Sequence, residues 1–334
     1  MKEFHKLLET AVEKEASDLH IREGLPAVYR IDGTIKKNGD VIKKEQIIKW
    51  CRSLTGDINN LYQKDFSYEI EKVARFRINV YKQMNSFSMA VRIIPSQIPP
   101  LSTLNLPDTM EKLCKLKQGL VLVTGITGSG KSTTLASMVN EVNKTAKNHI
   151  ITLEDPIEYI HECNLSLINQ REKGAHFQKF SEGLSAAMRQ DPDVILVGEM
   201  RDLETISTAL TAAETGHLVL ATLHTQRAHQ SIDRIIDVFP PHQQGQIRIQ
   251  LASTLKAVLT QQLVPKTYGG RAAVAELMEC NTAIKTLIRE GKTHQIPSII
   301  QTNSTMITYE KSLENLYNQG EIDEQTFHMF SVGG

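Results

Sequence analysis

The chain has few cysteines and no excess of either charge. Only four of its 334 residues are cysteines, Cys51, Cys114, Cys163 and Cys280, and no two of them form a CxxC pair. This spacing argues against a disulfide framework or a zinc cluster and is typical of reduced thiols in a cytosolic protein. Lysine plus arginine equal aspartate plus glutamate at 38 each. The balanced charge therefore gives no electrostatic reason to expect a nucleic-acid partner.

Long apolar runs are also missing. Nowhere do roughly 18 apolar residues follow one another, which is the length a helix needs to span a bilayer. The first residues lack the basic stretch and apolar core of a signal peptide. The sequence has no internal repeat and no low-complexity tract. We therefore expect a cytoplasmic protein that acts at a membrane only through a partner.

The first third of the chain has the pattern of a small α+β domain. Residues 3–16 carry apolar side chains at helical spacing. Short alternating runs follow at 18–22, 27–32, 66–70, 75–81 and 87–93. Prolines crowd the next segment, where they remove backbone donors and fix φ. We expect an N-terminal domain at 1–95 and a linker at 96–107.

The remainder, residues 108–334, has the pattern of a parallel sheet with crossover helices. Apolar strands are expected at 120–123, 149–153, 194–197 and 218–222, with helical stretches between them. From about residue 243 onward the pattern is mostly helical, and helices are expected at 247–263, 283–290 and 308–319.

Residues 125–132 match the phosphate-binding pattern G-x-x-x-x-G-K-[ST] in full. A predicted strand precedes them and a predicted helix follows, which is the context the motif requires. Glycines let successive backbone N–H groups point at phosphate oxygens, and the helix N-terminus adds its positive end. Lys131 would reach the β- and γ-phosphates, and the Ser132 hydroxyl would bind Mg²⁺. The predicted nucleotide-binding residues are Gly125, Ile126, Thr127, Gly128, Ser129, Gly130, Lys131, Ser132 and Thr133.

Two of the predicted strands end in acidic residues. Glu154 and Glu158 follow the strand at 149–153, and Glu199 follows the strand at 194–197. In an open parallel sheet, ligands bind beyond the carboxyl ends of the strands, where phosphoryl transfer needs a metal-positioning carboxylate and a water-orienting group. The second run resembles a Walker B strand, but Gly198 stands where many such enzymes carry aspartate. Glu199 must then serve the metal, through a water molecule.

Histidines and arginines offer further candidates. His217 and His224 bracket the strand at 218–222, but no third metal ligand lies at a compatible local spacing. The better functional interpretation is that His224 senses the γ-phosphate. Arg77 and Arg92 lie on alternating runs, and composition alone favours solvated charges on a strand face. The alternative is that one of them stabilises charge that develops on the phosphate of another subunit.

Taken together, the chain resembles the secretion and type IV pilus ATPases, and among them the PilT-type retraction motors. The resemblance covers nearly the whole chain. The matching segments are 17–20, 24–26, 125–132, 154–158, 189–193, 198–202, 217–224 and 283–297. Ile126 departs from the family pattern, which has proline there, and Lys285 and Thr286 replace arginine and asparagine.

The resemblance implies a fold, an assembly and roles for residues. It implies six subunits in a ring, each with a PAS-like N-terminal domain and a RecA-like ATPase domain, and ATP between the two domains. Glu158 would activate water, with Glu154 as the runner-up. Glu199 would act on Mg²⁺, and Arg77 and Arg92 would meet the phosphates.

The implied function is ATP-driven pilus retraction and twitching motility. The partner would be an inner-membrane platform protein of the PilC type, which would hold the ATPase at the membrane surface. Extension-type relatives carry a four-cysteine zinc site that this chain lacks, which favours retraction. The alternatives are an ATPase for pilus extension, DNA uptake or type II secretion, a nucleic-acid motor, and a paralogue that does not hydrolyse ATP.

Overall fold

The structure is a computed structural model that describes residues 1–31, 33–71, 73–94 and 97–331. Asp32, the last residue of one expected strand, and Pro95 and Ser96, at the expected linker, lie outside the described residues. The chain forms two compact units, Met1–Gln97 and Ile98–Gly334. None of the helices in the described part of the chain combines the length and the hydrophobicity of a membrane span.

The first unit is a six-stranded antiparallel sheet with two helices. Its sheet order is β3-β2-β1-β6-β5-β4. The elements are α1 (Lys2–Glu13), β1 (Asp18–Arg22), β2 (Ala27–Ile31), β3 (Thr34–Asn38), α2 (Lys44–Thr55), β4 (Gln63–Ile70), β5 (Ala74–Gln83) and β6 (Ser86–Ile94). Along β5, Phe76, Ile78 and Val80 are fully buried and alternate with less buried residues. This alternation gives the sheet one apolar face, which packs against Phe4 of α1 and Trp50 of α2.

The second unit contains a seven-stranded sheet with helices on both faces. The elements are α3 (Thr109–Leu113), β7 (Gly119–Thr124), α4 (Lys131–Thr145), β8 (His149–Glu154), β9 (Leu167–Glu172), α5 (Phe180–Ala187), β10 (Val194–Val197), α6 (Leu203–Glu214), β11 (Leu218–Leu223), α7 (Ala228–Asp237), α8 (Pro241–Thr254), β12 (Leu255–Pro265), β13 (Arg271–Glu279), α9 (Thr282–Glu290), α10 (Ile296–Thr302), α11 (Tyr309–Asn318) and α12 (Glu324–Ser331). The sheet order is β13-β12-β7-β11-β10-β8-β9.

Six of these strands are parallel, and β13 pairs antiparallel with β12 at one edge. Strands β7, β10 and β11 are buried on both faces, which is why they read as continuous apolar runs. Helices α3 and α4 pack on one face, and α5 to α10 pack on the other. Leu101, within the expected linker, is buried against the α3 and α4 side of this core.

The parallel arrangement brings several strand ends to one edge of the sheet. Leu223 at the end of β11 is in register with Thr124 at the end of β7, and Val197 of β10 is in register with Leu153 of β8. The segments after these strands therefore begin side by side. They carry the phosphate loop, both acidic runs and His224.

One helix expectation is wrong. The expected helix at 247–263 is a helix only as far as Thr254, because residues 255–265 form β12 in the middle of the sheet. The chain after residue 243 is mostly helical, as expected, although β12 and β13 interrupt the helices. The sequence patterns likewise missed β3, α2 and β9, which the structure adds to the predicted elements.

Candidate active site

The phosphate loop lies between β7 and α4, as predicted. Gly125, Gly128 and Gly130 have φ of 141°, 80° and 90°, a region that side chains with a Cβ rarely adopt. These values wrap the chain tightly before α4 begins at Lys131. The first turn of α4 has N–H groups without partners inside the helix, and these are available to an anion.

Lys131 bridges the loop from the start of α4. Its Nζ donates to the carbonyl oxygens of Gly125, at 2.8 Å, and Ile126, at 2.9 Å. Burial lowers the pKa of Lys131, and the nearby Glu158 carboxylate opposes that shift. The Lys131 ammonium and the Glu158 carboxylate therefore interact electrostatically across the site. The side chain of Ile126 is exposed and belongs to none of the apolar clusters among the described residues.

A cavity of about 80 Å³ opens beside the loop. Four predicted site residues line it, and they come from three separate segments of the chain: Ser132, Glu154, Glu158 and Glu199. The structure therefore brings the phosphate loop and both acidic runs together, which sequence separation alone does not require.

Glu154 is the most perturbed carboxyl group of the cavity. Its Oε1 accepts hydrogen bonds from the Thr152 hydroxyl, at 2.6 Å, and from Gln170 Nε2, at 3.2 Å. Burial nevertheless raises the pKa of Glu154 from 4.5 to about 7, because desolvation of the charged form outweighs these donors. A carboxyl group that titrates near neutrality can both hold and release a proton at physiological pH.

The glycine in place of the Walker B aspartate has a packing explanation. The Gly198 N–H donates to Leu153 O at 2.7 Å, where β10 ends against β8. A Cβ at position 198 would lie 3.0 Å from Leu153 O and 3.3 Å from the Cα of Glu154. A side chain at this position would therefore require the neighbouring backbone at Leu153 and Glu154 to shift by a few tenths of an ångström. Glu199, the next residue, lines the cavity and pairs with Arg201 at 2.8 Å.

The edge strand β9 holds the acidic loop at 154–161 in place. Gln170 donates to Tyr159 O at 2.8 Å as well as to Glu154, and its Oε1 accepts from His161 N at 2.8 Å. Glu172 accepts from Ile157 N at 3.1 Å. Sequence reasoning missed Gln170, because β9 was not recognised as a strand.

Two cavity residues within the acidic loop were also missed. The Tyr159 hydroxyl lies 2.8 Å from the Thr133 hydroxyl, so the acidic loop is tied to α4. His161 lines the cavity, and burial lowers its pKa to about 4, which keeps the imidazole neutral. Their position within a few residues of Glu158 was the one signal that could have identified them.

The two histidines on either side of β11 have different environments. His217 precedes β11, and its Nδ1 lies 3.0 Å from Ala212 O. His224 follows β11 at the other end, beside the phosphate loop. Burial and the charges of Lys131 and Arg201 lower the pKa of His224, while Glu199 opposes them. Only His224 is therefore placed to respond to charge at the candidate site.

Arg77 and Arg92 belong to the first unit, where they face each other in register on β5 and β6. Arg77 makes a bidentate pair with Asp65, with its shortest contact at 2.6 Å. Arg92 pairs with Asp18 at 3.2 Å. Both guanidinium groups therefore bind carboxylates within their own unit.

The oxygen donors of the cavity fit Mg²⁺ when phosphates accompany it. The Ser132 hydroxyl and the Glu199 carboxylate are hard ligands of the kind this ion prefers. Within the described residues, no three His, Cys, Asp or Glu side chains form a metal site by themselves. Mg²⁺ typically binds one or two protein ligands and completes its shell with substrate phosphates and water.

Comparison with known proteins gives matches over nearly the whole chain. The family model described as "Type II/IV secretion system protein" matches residues 1–325. The chain is 43% identical over 328 residues to the "Type IV pilus retractation ATPase PilT" of Pseudomonas aeruginosa, covering 96% of this chain and 95% of that protein. It is 46% identical over 305 residues to the "Twitching motility protein" of Neisseria gonorrhoeae, covering 88% and 81%.

A solved structure shares the fold. The pilus retraction motor PilT with bound ADP superposes with a TM-score of 0.87 at 45% identity, covering 96% of this chain and 95% of that one. This likeness confirms the predicted α/β fold class with a RecA-like core and a smaller N-terminal domain. The chain belongs to the type II/IV secretion system protein family and, within it, to the PilT-type pilus retraction ATPases.

Proposed function

We infer that this protein is an ATP-hydrolysing motor that drives the retraction of type IV pili. One observation carries the inference. Ser132 of an intact phosphate loop lines one cavity together with two acidic strand ends, in a chain that is 43% identical to a pilus retraction ATPase over nearly its full length. The PilT structure that the chain resembles holds ADP, and we propose that ATP binds to the phosphate loop of this chain.

The loop would bind the phosphates through residues 125–133, from Gly125 to Thr133. Lys131 would then exchange the carbonyls of Gly125 and Ile126 for phosphate oxygens. This exchange is favourable because a charged acceptor makes a stronger hydrogen bond than a neutral one.

Glu158 is our proposed base for the attacking water, and Glu154 is the alternative. Glu158 lines the cavity and lies within electrostatic reach of Lys131. Glu154 is held by two donors and keeps its proton up to about pH 7, so it suits a role in relaying that proton.

Ser132 and Glu199 would position Mg²⁺, which neutralises charge on the β- and γ-phosphate oxygens when it is bound. We propose that His224 senses the γ-phosphate from the end of β11. Arg77 and Arg92 would stabilise phosphate charge by exchanging Asp65 and Asp18 for phosphate oxygens, which offer a similar bidentate geometry.

We propose that six copies form the working particle and that it acts on a platform protein in the inner membrane. Six chains of 37.5 kDa would give a particle of about 225 kDa in the presence of ATP. Mass measurement in solution by light scattering tests this assembly, and a particle that stays monomeric with ATP would contradict it.

Deletion of the gene in its own bacterium tests the direction of the motor. A retraction motor is not needed to assemble pili, so we expect cells that keep their pili and lose retraction and twitching. Cells without pili would instead assign the protein to pilus extension and overturn the proposal. Return of retraction with the wild-type gene is the control.

A further inference from the structure

A buried glutamine lies directly behind the phosphate loop. Gln261 is on β12, the strand that runs parallel to β7, and only 3% of its surface is exposed. Thr260 is in register with Thr124, the last residue of β7, so Gln261 is level with the first residue of the loop. A buried polar side chain in the middle of a sheet is costly unless its hydrogen bonds are satisfied.

Both ends of the Gln261 amide are engaged by the loop and by α4. Its Nε2 donates to Ser129 O at 2.7 Å, and its Oε1 accepts from the Thr134 hydroxyl at 2.9 Å. The Ser129 carbonyl can only accept, so it must face the NH₂ end of the amide. The side chain therefore joins the loop to the helix that follows it.

There is no spare room between β12 and the loop. A Cβ at Gly125 would lie 2.3 Å from the backbone oxygen of Gln261, and a Cβ at Gly130 would lie 2.9 Å from its Nε2. Two of the three glycines with positive φ in the loop are thus in close contact with this one residue. The conformation of the loop is therefore adapted to close packing against Gln261.

The hydrogen bond to Ser129 fixes the orientation of a whole peptide group. In a trans peptide, the C=O and the following N–H point in opposite directions. Because the Ser129 carbonyl points at Gln261, the Gly130 N–H must point away from β12, to the open side of the loop. An N–H oriented before the ligand arrives costs no reorganisation on binding.

We propose that Gln261 is a positioning residue of the phosphate loop. It does not touch the nucleotide. It holds the Ser129–Gly130 peptide so that the Gly130 N–H faces a phosphate oxygen, and it fastens the loop to α4 through Thr134. The proposal rests on the proposed function, because it assigns a role within the same ATP site.

Replacement by methionine tests the proposal with little change in side-chain volume. In Gln261→Met we expect the Kd for ADP to rise about tenfold, as the loop loses its preset orientation. Gln262→Met is the matched control. Gln262 is the next residue on the strand, faces the other side and accepts from the Tyr309 hydroxyl at 3.0 Å. It should bind ADP as the wild type does.

A double variant separates positioning from general stability. Gln261→Met leaves the Thr134 hydroxyl without its partner, and adding Thr134→Val removes that unsatisfied group. We expect the double variant to regain melting temperature but not affinity for ADP, because Ser129 O stays without its donor. Parallel recovery of both would reduce Gln261 to a structural role and overturn the proposal.

The isosteric variant Gln261→Glu gives a second, independent readout. A carboxylate cannot donate to Ser129 O, whereas a protonated carboxyl can. The loss of ADP affinity relative to wild type should therefore shrink as the pH is lowered from about 8 to about 6, since burial favours the protonated form. A ratio that does not change with pH would contradict the assigned donor.

The outcomes distinguish this inference from the proposed function. If the wild type binds ADP and hydrolyses ATP while folded Gln261→Met has a Kd within about twofold of wild type, this inference fails alone. If the wild type neither binds nor hydrolyses nucleotide, the proposed function fails and takes this inference with it.

Discussion

At the scale of single residues, the two carboxyl groups of the acidic loop differ in environment although they are four positions apart. Glu154 ends a buried strand, and burial raises its pKa to about 7. Glu158 lies beyond the strand, and its charge raises the pKa of Lys131 against the effect of burial. Environment rather than residue type therefore separates their chemical roles.

The raised pKa of Glu154 predicts a specific dependence of stability on pH. The folded protein holds a proton on Glu154 between about pH 4.5 and pH 7, where the unfolded chain has already released it. The free energy of unfolding therefore falls across this window as the pH rises. Below this window Glu154 is protonated in both the folded and the unfolded state, so its titration no longer lowers the free energy of unfolding.

Glu154→Gln removes this titration, so its stability relative to wild type should increase by on the order of 3 kcal/mol from about pH 5 to about pH 8. Denaturant unfolding of both proteins at each pH measures the difference. A difference that is constant with pH would show that Glu154 titrates normally.

Exchange of the proposed base gives a kinetic prediction. Glu158→Gln should bind ATP with nearly unchanged affinity and hydrolyse it about a hundredfold or more slowly, because the attacking water loses its proton acceptor. Phosphate release and ATP binding are measured on the same preparation. If Glu158→Gln hydrolyses ATP normally while Glu154→Gln does not, the base is Glu154.

Much of the site at residue level could be predicted from the sequence. The glycines, Lys131 and Ser132 follow from a motif whose chemistry needs those residue types at that spacing. Gly198 could be noticed as unusual, but its reason is the approach of another strand, which only the fold reveals. Gln170 and Gln261 belong to no motif, because a supporting amide can come from any neighbouring strand.

At the scale of secondary-structure elements, the misassigned segment at 247–263 shows what patterns cannot resolve. Ile247, Leu251, Leu255, Leu259 and Leu263 recur every four residues, which predicts one long amphipathic helix. The helix instead ends at Thr254 and a strand begins at once, with no glycine or proline between them. Pairing with β7 and β13 stabilises the strand, and no local property of the sequence encodes that pairing.

The hydrogen bonds from Gln170 on the edge strand β9 to the acidic loop predict that a residue outside the sequence motifs affects catalysis. Gln170→Leu removes three hydrogen bonds to the acidic loop, so we expect kcat to fall about tenfold. Affinity for ADP should change little, because none of these bonds reaches the phosphate loop.

Asn169→Leu on the same strand is the matched control. Asn169 is exposed and contacts His149 at 2.8 Å, away from the acidic loop. Steady-state phosphate release with ATP compares the two variants. Equal rates of phosphate release in Gln170→Leu and Asn169→Leu would mean that β9 does not order the acidic loop.

Helix α9 predicts a separation of hydrolysis from movement. Its Ile284 and Ile288 are buried, while Arg289 is exposed and donates only to Lys285 O among the described contacts. Arg289→Ala should therefore keep most of the ATPase rate and abolish retraction, because this exposed side chain can contact a partner and does not line the candidate active site.

Twitching assays and phosphate release on the same variant test this separation. Lys311→Ala on α11, another exposed cation, is the control and should retract normally. Normal twitching in Arg289→Ala would show that Arg289 of α9 is not needed to couple ATP hydrolysis to retraction.

At the scale of the whole molecule, the two sheets carry different groups of candidate functional residues. The parallel sheet brings the phosphate loop, the acidic runs and His224 to one edge, whereas the antiparallel sheet presents Arg77 and Arg92 as a cross-strand pair. The fold class followed from the change of pattern along the chain, since alternation of strands and helices predicts a parallel sheet. The order of strands did not follow, because it is decided by packing.

ATP hydrolysis by the wild-type protein and by Lys131→Ala, measured as phosphate release under identical conditions, tests whether the phosphate loop is the site of hydrolysis. We expect turnover by the wild type and a loss of about a thousandfold or more in the variant, since the ammonium that neutralises the transferring phosphate is gone. Wild-type turnover in Lys131→Ala would instead place hydrolysis outside the loop at 125–132 and show that this loop does not bind the transferring phosphate.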